Sequence, residues 1–173
     1  MAISHDLNLI ASADANGLVV TRSLAEDGKI LDRFEIGERA LGISFNMSCD
    51  RYAVVTGKTI YVRDFENQKI PWRERQLSVP EFTCIAVRPF TNSYLTGRLD
   101  GSAVLRGRGE SNIVGRRPRL VGHEGPVTAV GMSASGRLAV TGSEDRTLRI
   151  WHMDTKKEIC LLYTSPSPRD RNV

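Results

Sequence analysis

Short apolar stretches recur from one end of the chain to the other, and none is long. Leu18-Val19-Val20, Tyr52-Ala53-Val54-Val55, Ile60-Tyr61-Val62, Cys84-Ile85-Ala86-Val87, Ala103-Val104-Leu105 and Leu138-Ala139-Val140 are examples. Clusters of Gly, Asn, Asp and Ser separate them, such as Asp14-Ala15-Asn16-Gly17, Asp100-Gly101-Ser102 and Ser133-Ala134-Ser135-Gly136. Runs of this length bounded by turn formers read as β-strands, because these residues supply the backbone angles and local hydrogen bonds that reverse the chain. No stretch keeps a 3.6-residue apolar period over three turns, so helix is expected to be scarce.

The pattern is also periodic. A unit of apolar strand, polar turn, second apolar strand, Thr-Gly or its equivalent, turn and third strand occurs four times. The clearest copy runs from Val121 to Trp151; the others run over 84–105, 42–64 and 2–20. Ala13, Gly57, Gly97 and Gly142 mark one equivalent position, at steps of about 40–45 residues, the period of a four-stranded propeller blade. The expected fold is all-β: a partial β-propeller of about four four-stranded antiparallel meanders. The blades are expected over roughly residues 1–36, 37–78, 79–120 and 121–159.

In the fourth copy Gly122-His123 is followed by Thr141, Asp145 and Trp151. This set resembles the WD-repeat signature. The resemblance implies a structural tetrad in which His123, Thr141, Asp145 and Trp151 form a hydrogen-bonded chain within one blade. Asp145 would sit in a turn and accept from His123 and the turn backbone, Thr141 would bridge to His123, and the buried Trp151 indole would need an acceptor. The other copies depart from this set. Copy one has Asn16 and Arg22 at the Asp145 and Trp151 positions, copy three has Asp100 and Arg106, and copy two has a shortened turn and Arg63-Asp64.

Residues 160–170 resemble the in-frame translation of a sequencing-library adapter. Residues 160–173 are accordingly expected to be a non-native tail, with the gene continuing past Ile159. A fragment of this kind would expose strand edges that ring closure protects and would be prone to aggregate alone.

Composition changes this picture little. The chain has 173 residues, 40% hydrophobic and 25% charged, as expected of a globular protein. No apolar run approaches the ~18–20 residues of a membrane span, and Asp6, Asp14 and Asn16 interrupt the N-terminus where a secretory segment would lie. A cytoplasmic or otherwise intracellular setting is expected. Net charge is +4, only mildly basic. Cys49, Cys84 and Cys160 form no Cys-x-x-Cys pair, and His5, His123 and His152 are scattered, so no metal and no cofactor is expected. Gly57-Lys58-Thr59 lacks the upstream glycine of a phosphate loop, since Tyr52 stands there. Asn46-Met47-Ser48 matches a glycosylation sequon but reads as a polar turn.

The expected function is a non-enzymatic scaffold for other proteins or peptides. Candidate binding residues are Trp72, which stands beside arginines between two blades, and the cluster Arg106, Arg108, Arg116, Arg117 and Arg119. That cluster opens an alternative, a platform for an anionic ligand such as RNA or acidic lipid, although no aromatic residue accompanies it for base stacking. A further alternative is a propeller appended to a larger trafficking or signalling protein.

Overall fold

Where the sequence alternates, the chain forms strands. A computed structural model describes residues 1–46, 48–64, 72–76, 81–89, 91, 93–107 and 118–163, with 72–76 described by backbone alone. Sheet 1 contains β1 (Ala2–Ile3), β2 (Leu9–Ala13), β3 (Leu18–Ser23) and β4 (Ile30–Glu35). Sheet 2 contains β5 (Ala40–Phe45), β6 (Arg51–Thr56), β7 (Thr59–Asp64) and β8 (Trp72–Gln76). Sheet 3 contains β9 (Phe82–Val87), β10 (Ser93–Arg98), β11 (Ala103–Gly107) and β12 (Arg119–Leu120). Sheet 4 contains β13 (Val127–Met132), β14 (Leu138–Ser143), β15 (Thr147–His152) and β16 (Lys157–Tyr163). In each sheet the strands lie in chain order and pair antiparallel, so each sheet is a meander. The chain is all-β, a partial β-propeller of four blades, with no helix among the described residues. No helix there is long and apolar enough to cross a membrane.

Register shows which positions are equivalent. Ala129 pairs with Gly142 in sheet 4 just after a bulge, and Gly42 pairs with Val55 in sheet 2 just after the matching bulge. The Asn46 N–H donates to the Arg51 carbonyl at 3.0 Å, as the Ser133 N–H does to that of Leu138 at 3.0 Å. The sheet 2 counterpart of Gly142 is therefore Val55, and the expected Gly57 is displaced by two residues into the β6–β7 turn. The Thr-Gly dipeptide misleads because that turn is shorter than its counterpart. At the third-strand position of Trp151, pairing with Ala139, stand Arg22 (with Ile10), Arg63 (with Tyr52) and Arg106 (with Tyr94).

Side chains alternate across each sheet, so every sheet has a leading face toward the preceding sheet and a trailing face toward the next. Three apolar cores fill the three junctions. Val19, Phe34 and Ile36 of the first blade meet Tyr52, Val54 and Tyr61 of sheet 2. Ala53, Val55 and Ile60 of sheet 2 meet Phe82, Ile85 and Tyr94 of sheet 3. Leu95, Leu105 and Leu120 of sheet 3 meet Ala139, Trp151 and Met153 of the fourth blade. The first strands also make polar contacts across the junctions: the Val87 N–H donates to Ser44 Oγ at 3.0 Å, and Thr83 Oγ1 donates to the Val127 carbonyl at 2.5 Å. Residues on or next to the four first strands surround a cavity of about 450 Å³, among them Ile3, Phe45, Val87 and Met132.

One junction carries a buried ion pair. Arg63 binds Asp32 through Nε at 2.6 Å and its second nitrogen at 2.8 Å, while the Tyr52 hydroxyl donates to Asp32 at 3.2 Å. The two charged side chains are each 7% exposed, and the guanidinium lies 5.3 Å from the Phe34 ring centroid. Bonding to Asp32 raises the Arg63 pKa. A bidentate, desolvated pair of this kind costs most when one partner alone is removed. Asp32→Ala is expected to destabilise the chain by about 3–5 kcal/mol, and Asp32→Ala with Arg63→Met by much less. Urea unfolding of the three chains measures the difference; equal losses would mean that the pair is not the inter-sheet tie.

Candidate interaction site

The turns joining the second and third strands, and the connections that lead into the next sheet, lie at one end of the meanders. Two glycines show how closely these parts pack. Gly17 and Gly101 have φ of +87° and +77°, and a Cβ on either would come within 2.5 Å of a backbone carbonyl, that of Glu38 and of His123 respectively. Each turn is therefore seated against the lead-in of the following sheet, and only glycine allows both the left-handed backbone and the approach.

At this end of sheet 4 the structure brings together His123, Thr141, Asp145 and Trp151. The Trp151 indole N–H donates to Thr141 Oγ1 at 2.9 Å, and Thr141 Oγ1 lies 2.7 Å from His123 Nε2. His123 Nδ1 lies 2.9 Å from Asp145 Oδ2. These contacts close if the Thr141 hydroxyl donates to Nε2 and Nδ1–H donates to the carboxylate. Asp145 also accepts from the backbone N–H of Glu124 at 3.0 Å and of Thr147 at 2.9 Å. Thr147 belongs to the same network although the sequence pattern did not single it out: its hydroxyl donates to Asp145 at 2.7 Å and lies 3.0 Å from His123 Nδ1. Its position two residues beyond the turn aspartate is the signal that could have found it. The chain of bonds ties the lead-in 121–126 to the turn 143–147 and to β15. Both ring nitrogens of His123 are engaged, and its side chain is 2% exposed.

The other sheets solve the same turn differently. In sheet 3 Asp100 accepts from the Ser102 N–H at 3.0 Å and hydroxyl at 2.5 Å, and from Arg119 at 2.6 Å. In sheet 2 Glu38, from the lead-in, accepts from Thr56 at 2.7 Å and Thr59 at 3.4 Å. In sheet 1 the turn carboxylate is Asp14, which accepts from the N–H groups of Asn16 and Leu18, each at 2.9 Å. Asn16, expected at the Asp145 position, stands there in the register, but Asp14 holds the turn.

The arginine candidates separate. Arg106 is buried, with its guanidinium 5.2 Å from the Phe82 ring centroid, where Trp151 stands in sheet 4. This corrects the expectation of a ligand-facing side chain. Arg119 is bound to Asp100. Arg108, Arg116 and Arg117 lie outside the described residues, as does the side chain of Trp72. Tyr61 and Tyr94 are buried in the junction cores. Leu99 and Val121 escaped attention in the sequence. They are 53% and 69% exposed on a second-to-third-strand turn and a lead-in connection, beside the Arg98–Glu81 and Arg119–Asp100 ion pairs. Strand β16 includes Cys160–Tyr163, so pairing with β15 continues beyond Ile159; residues 164–173 lie outside the described set.

Residues 116–152 match the WD domain, G-beta repeat family. That segment is a WD repeat. It is similar to the Periodic tryptophan protein 2 homolog of Schizosaccharomyces pombe, 33% identical over 79 residues, 46% of this chain and 9% of that protein. The Neurospora crassa homolog of the same name is 36% identical over 80 residues, 44% of this chain and 9% of that protein. Transcription initiation factor TFIID subunit 5 of Caenorhabditis elegans is 39% identical over 49 residues, 28% of this chain and 7% of that protein. The matches thus span less than a tenth of these relatives. The matched segment ends with β15, the strand that carries Trp151.

The electrostatics of Asp145 make its role measurable. Burial pushes its pKa up, but the Thr147 hydroxyl, the His123 ring and the Glu124 and Thr147 N–H groups outweigh it and hold the carboxyl well below the usual range. A group whose pKa is lower folded than unfolded contributes fully above its unfolded value, about 4, and the contribution is lost as pH falls through that value toward the folded one. Asp145→Asn should therefore flatten the acid side of the stability–pH curve, read by urea unfolding between pH 7 and 3; an unchanged slope would contradict the bonding. Asp145→Ala should cost about 1–3 kcal/mol by orphaning buried donors. Asn16→Ala should cost less than Asp14→Ala, and the reverse order would refute the assignment of the turn carboxylate.

Proposed function

We propose that this chain is a non-enzymatic scaffold that binds other proteins or peptides on the end of the blades carrying the second-to-third-strand turns and the lead-in connections. The observation that carries the reading is the seating of those loops. Turn and lead-in are locked together by the His123–Asp145 network in sheet 4 and by close glycine packing at Gly17 and Gly101. Loops held in this way reach a partner with little ordering left to do, which favours affinity. Leu99 and Val121 offer exposed apolar side chains near, in sequence, the paired charges Arg98–Glu81 and Arg119–Asp100, and apolar and polar groups mix in this way at interfaces. The likeness to a protein named as a subunit of a transcription initiation factor supports work inside the cell within a multi-protein assembly. Nothing in the tetrad calls for chemistry, since the ring nitrogens of His123 are already committed. Among the described arginines none favours the anionic platform, because Arg106 is buried and Arg119 is paired with Asp100.

The test uses the whole chain as bait. Wild type and a Leu99→Asp, Val121→Asp double variant are immobilised, and proteins retained from a cell extract are quantified. The reading expects a discrete set of proteins, retained after nuclease treatment and reduced at least tenfold by the variant, with an unchanged circular dichroism spectrum. Equal retention by both chains, or retention abolished by nuclease, would refute it.

A further inference from the structure

Asn16-Gly17 is the one Asn-Gly pair in the chain, and its two residues sit in opposite surroundings. Asn16 is exposed, and its side chain makes no hydrogen bond among the described residues. Gly17 is buried. Its N–H donates to the Asp14 carbonyl at 3.2 Å, and its carbonyl accepts from the Ile36 N–H at 2.9 Å. A Cβ on Gly17 would lie 2.5 Å from the Glu38 carbonyl oxygen and 3.0 Å from the Ile36 side chain. The Asp14 carboxylate fastens the same turn through the N–H groups of Asn16 and Leu18, each at 2.9 Å. A free amide side chain followed by glycine is a reactive pair, because no Cβ shields the glycine nitrogen from the amide carbon. Here that nitrogen is held in a seat on the lead-in to sheet 2. Reaching the amide carbon requires the Asn16–Gly17 peptide to rotate, which withdraws Gly17 from Asp14 and Ile36.

We propose that Asn16 is a self-modification site, closed while Gly17 is seated and converted to aspartate or isoaspartate when the turn leaves its seat. The Gly17 nitrogen adds to the Asn16 side-chain carbonyl carbon. The side-chain amide nitrogen departs as ammonia, carrying the Gly17 N–H proton, and a cyclic imide remains. Water opens the imide at either carbonyl, giving aspartate with the normal backbone or isoaspartate with the main chain routed through the side chain. The two products differ in effect. Aspartate at 16 is the residue type that Asp100 and Asp145 supply at the same register position. Isoaspartate adds a methylene to the backbone ahead of Gly17, and the seat that has no room for a Cβ cannot take it back. The reaction is confined to this turn. Asp27-Gly28 and Asp100-Gly101 present carboxylates, which are ionised at neutral pH and resist attack, and Asp100 is further held by Ser102 and Arg119. The chemistry needs only water, so it stands apart from whatever the loop end binds.

The whole chain is incubated at neutral pH, with and without enough urea to unfold it. Mass spectrometry of the peptide spanning residue 16 follows the amide-to-acid exchange, and chromatography separates its aspartate and isoaspartate forms. Reaction from an opened turn scales with the population of that open form, so conversion in the folded chain should be slower than in urea by about tenfold or more. Asp14→Ala, which removes two bonds from the turn, should narrow the gap between its own folded and unfolded rates. Asn16→Gln should stop the conversion in both solvents, since the longer side chain closes a less favourable ring. In the recovered isoaspartate form the Ile36 N–H, now without the Gly17 carbonyl, should exchange with deuterium faster than in wild type, and in Asn16→Asp it should not. Equal rates with and without urea, no conversion in urea, or unchanged Ile36 exchange in the isoaspartate form would overturn the proposal. The wild-type ratio decides the gate by itself should Asp14→Ala fail to fold.

Discussion

Everything in this chain depends on sheet-against-sheet packing. A four-stranded meander with apolar residues on both faces cannot bury either face alone, and strands of about six residues supply too little core by themselves. Each blade is stable only in the company of its neighbours, so the three junction cores are the structural unit rather than the individual sheets. The result is a set of short turns and connections held on a stiff body, and the proposed recognition surface follows from that arrangement.

Polar groups within the junctions and turns act as local solutions rather than as a repeated formula. Arginine stands at the Trp151 position in three of the four sheets, yet it does different things. Arg63 pairs with Asp32 across a junction, Arg106 lies near Phe82 within its own sheet, and Arg22 reaches the Gly28 carbonyl on an exposed face. The turn carboxylate likewise changes identity, from Asp14 to Glu38 to Asp100 to Asp145, while the task of accepting hydrogen bonds from that turn stays the same. The fold tolerates this because the apolar alternation carries most of the driving force, and the polar groups need only be satisfied.

That division explains what could be read from the sequence. The all-β class and the four-blade periodicity were legible because alternation and turn residues are local signals repeated along the whole chain. The WD repeat at 116–152 was legible in the fourth copy, where spacing and residue types coincide. Equivalences inside divergent turns were not: a Thr-Gly dipeptide at 56–57 imitated the one at 141–142, and Asn16 drew attention from Asp14. Partnerships across a junction were also hidden. Asp32 and Arg63 are far apart in the chain, and no local pattern announces that an arginine on a strand will point into the preceding blade. The same blindness made Arg106 look like part of a solvent-facing cluster.

The central claim, that the blades stand through their junctions, is open to one direct measurement. With Trp72→Phe, Trp151 becomes the sole indole and reports on sheet 4 from within the core it shares with Leu95 of sheet 3. Leu95→Ala is then introduced in the neighbouring sheet, and urea unfolding is followed by Trp151 emission and by strand circular dichroism. The account predicts that both midpoints fall together, by the same amount. A Trp151 midpoint that stays in place while the circular dichroism midpoint falls would show that sheet 4 stands alone and would contradict it.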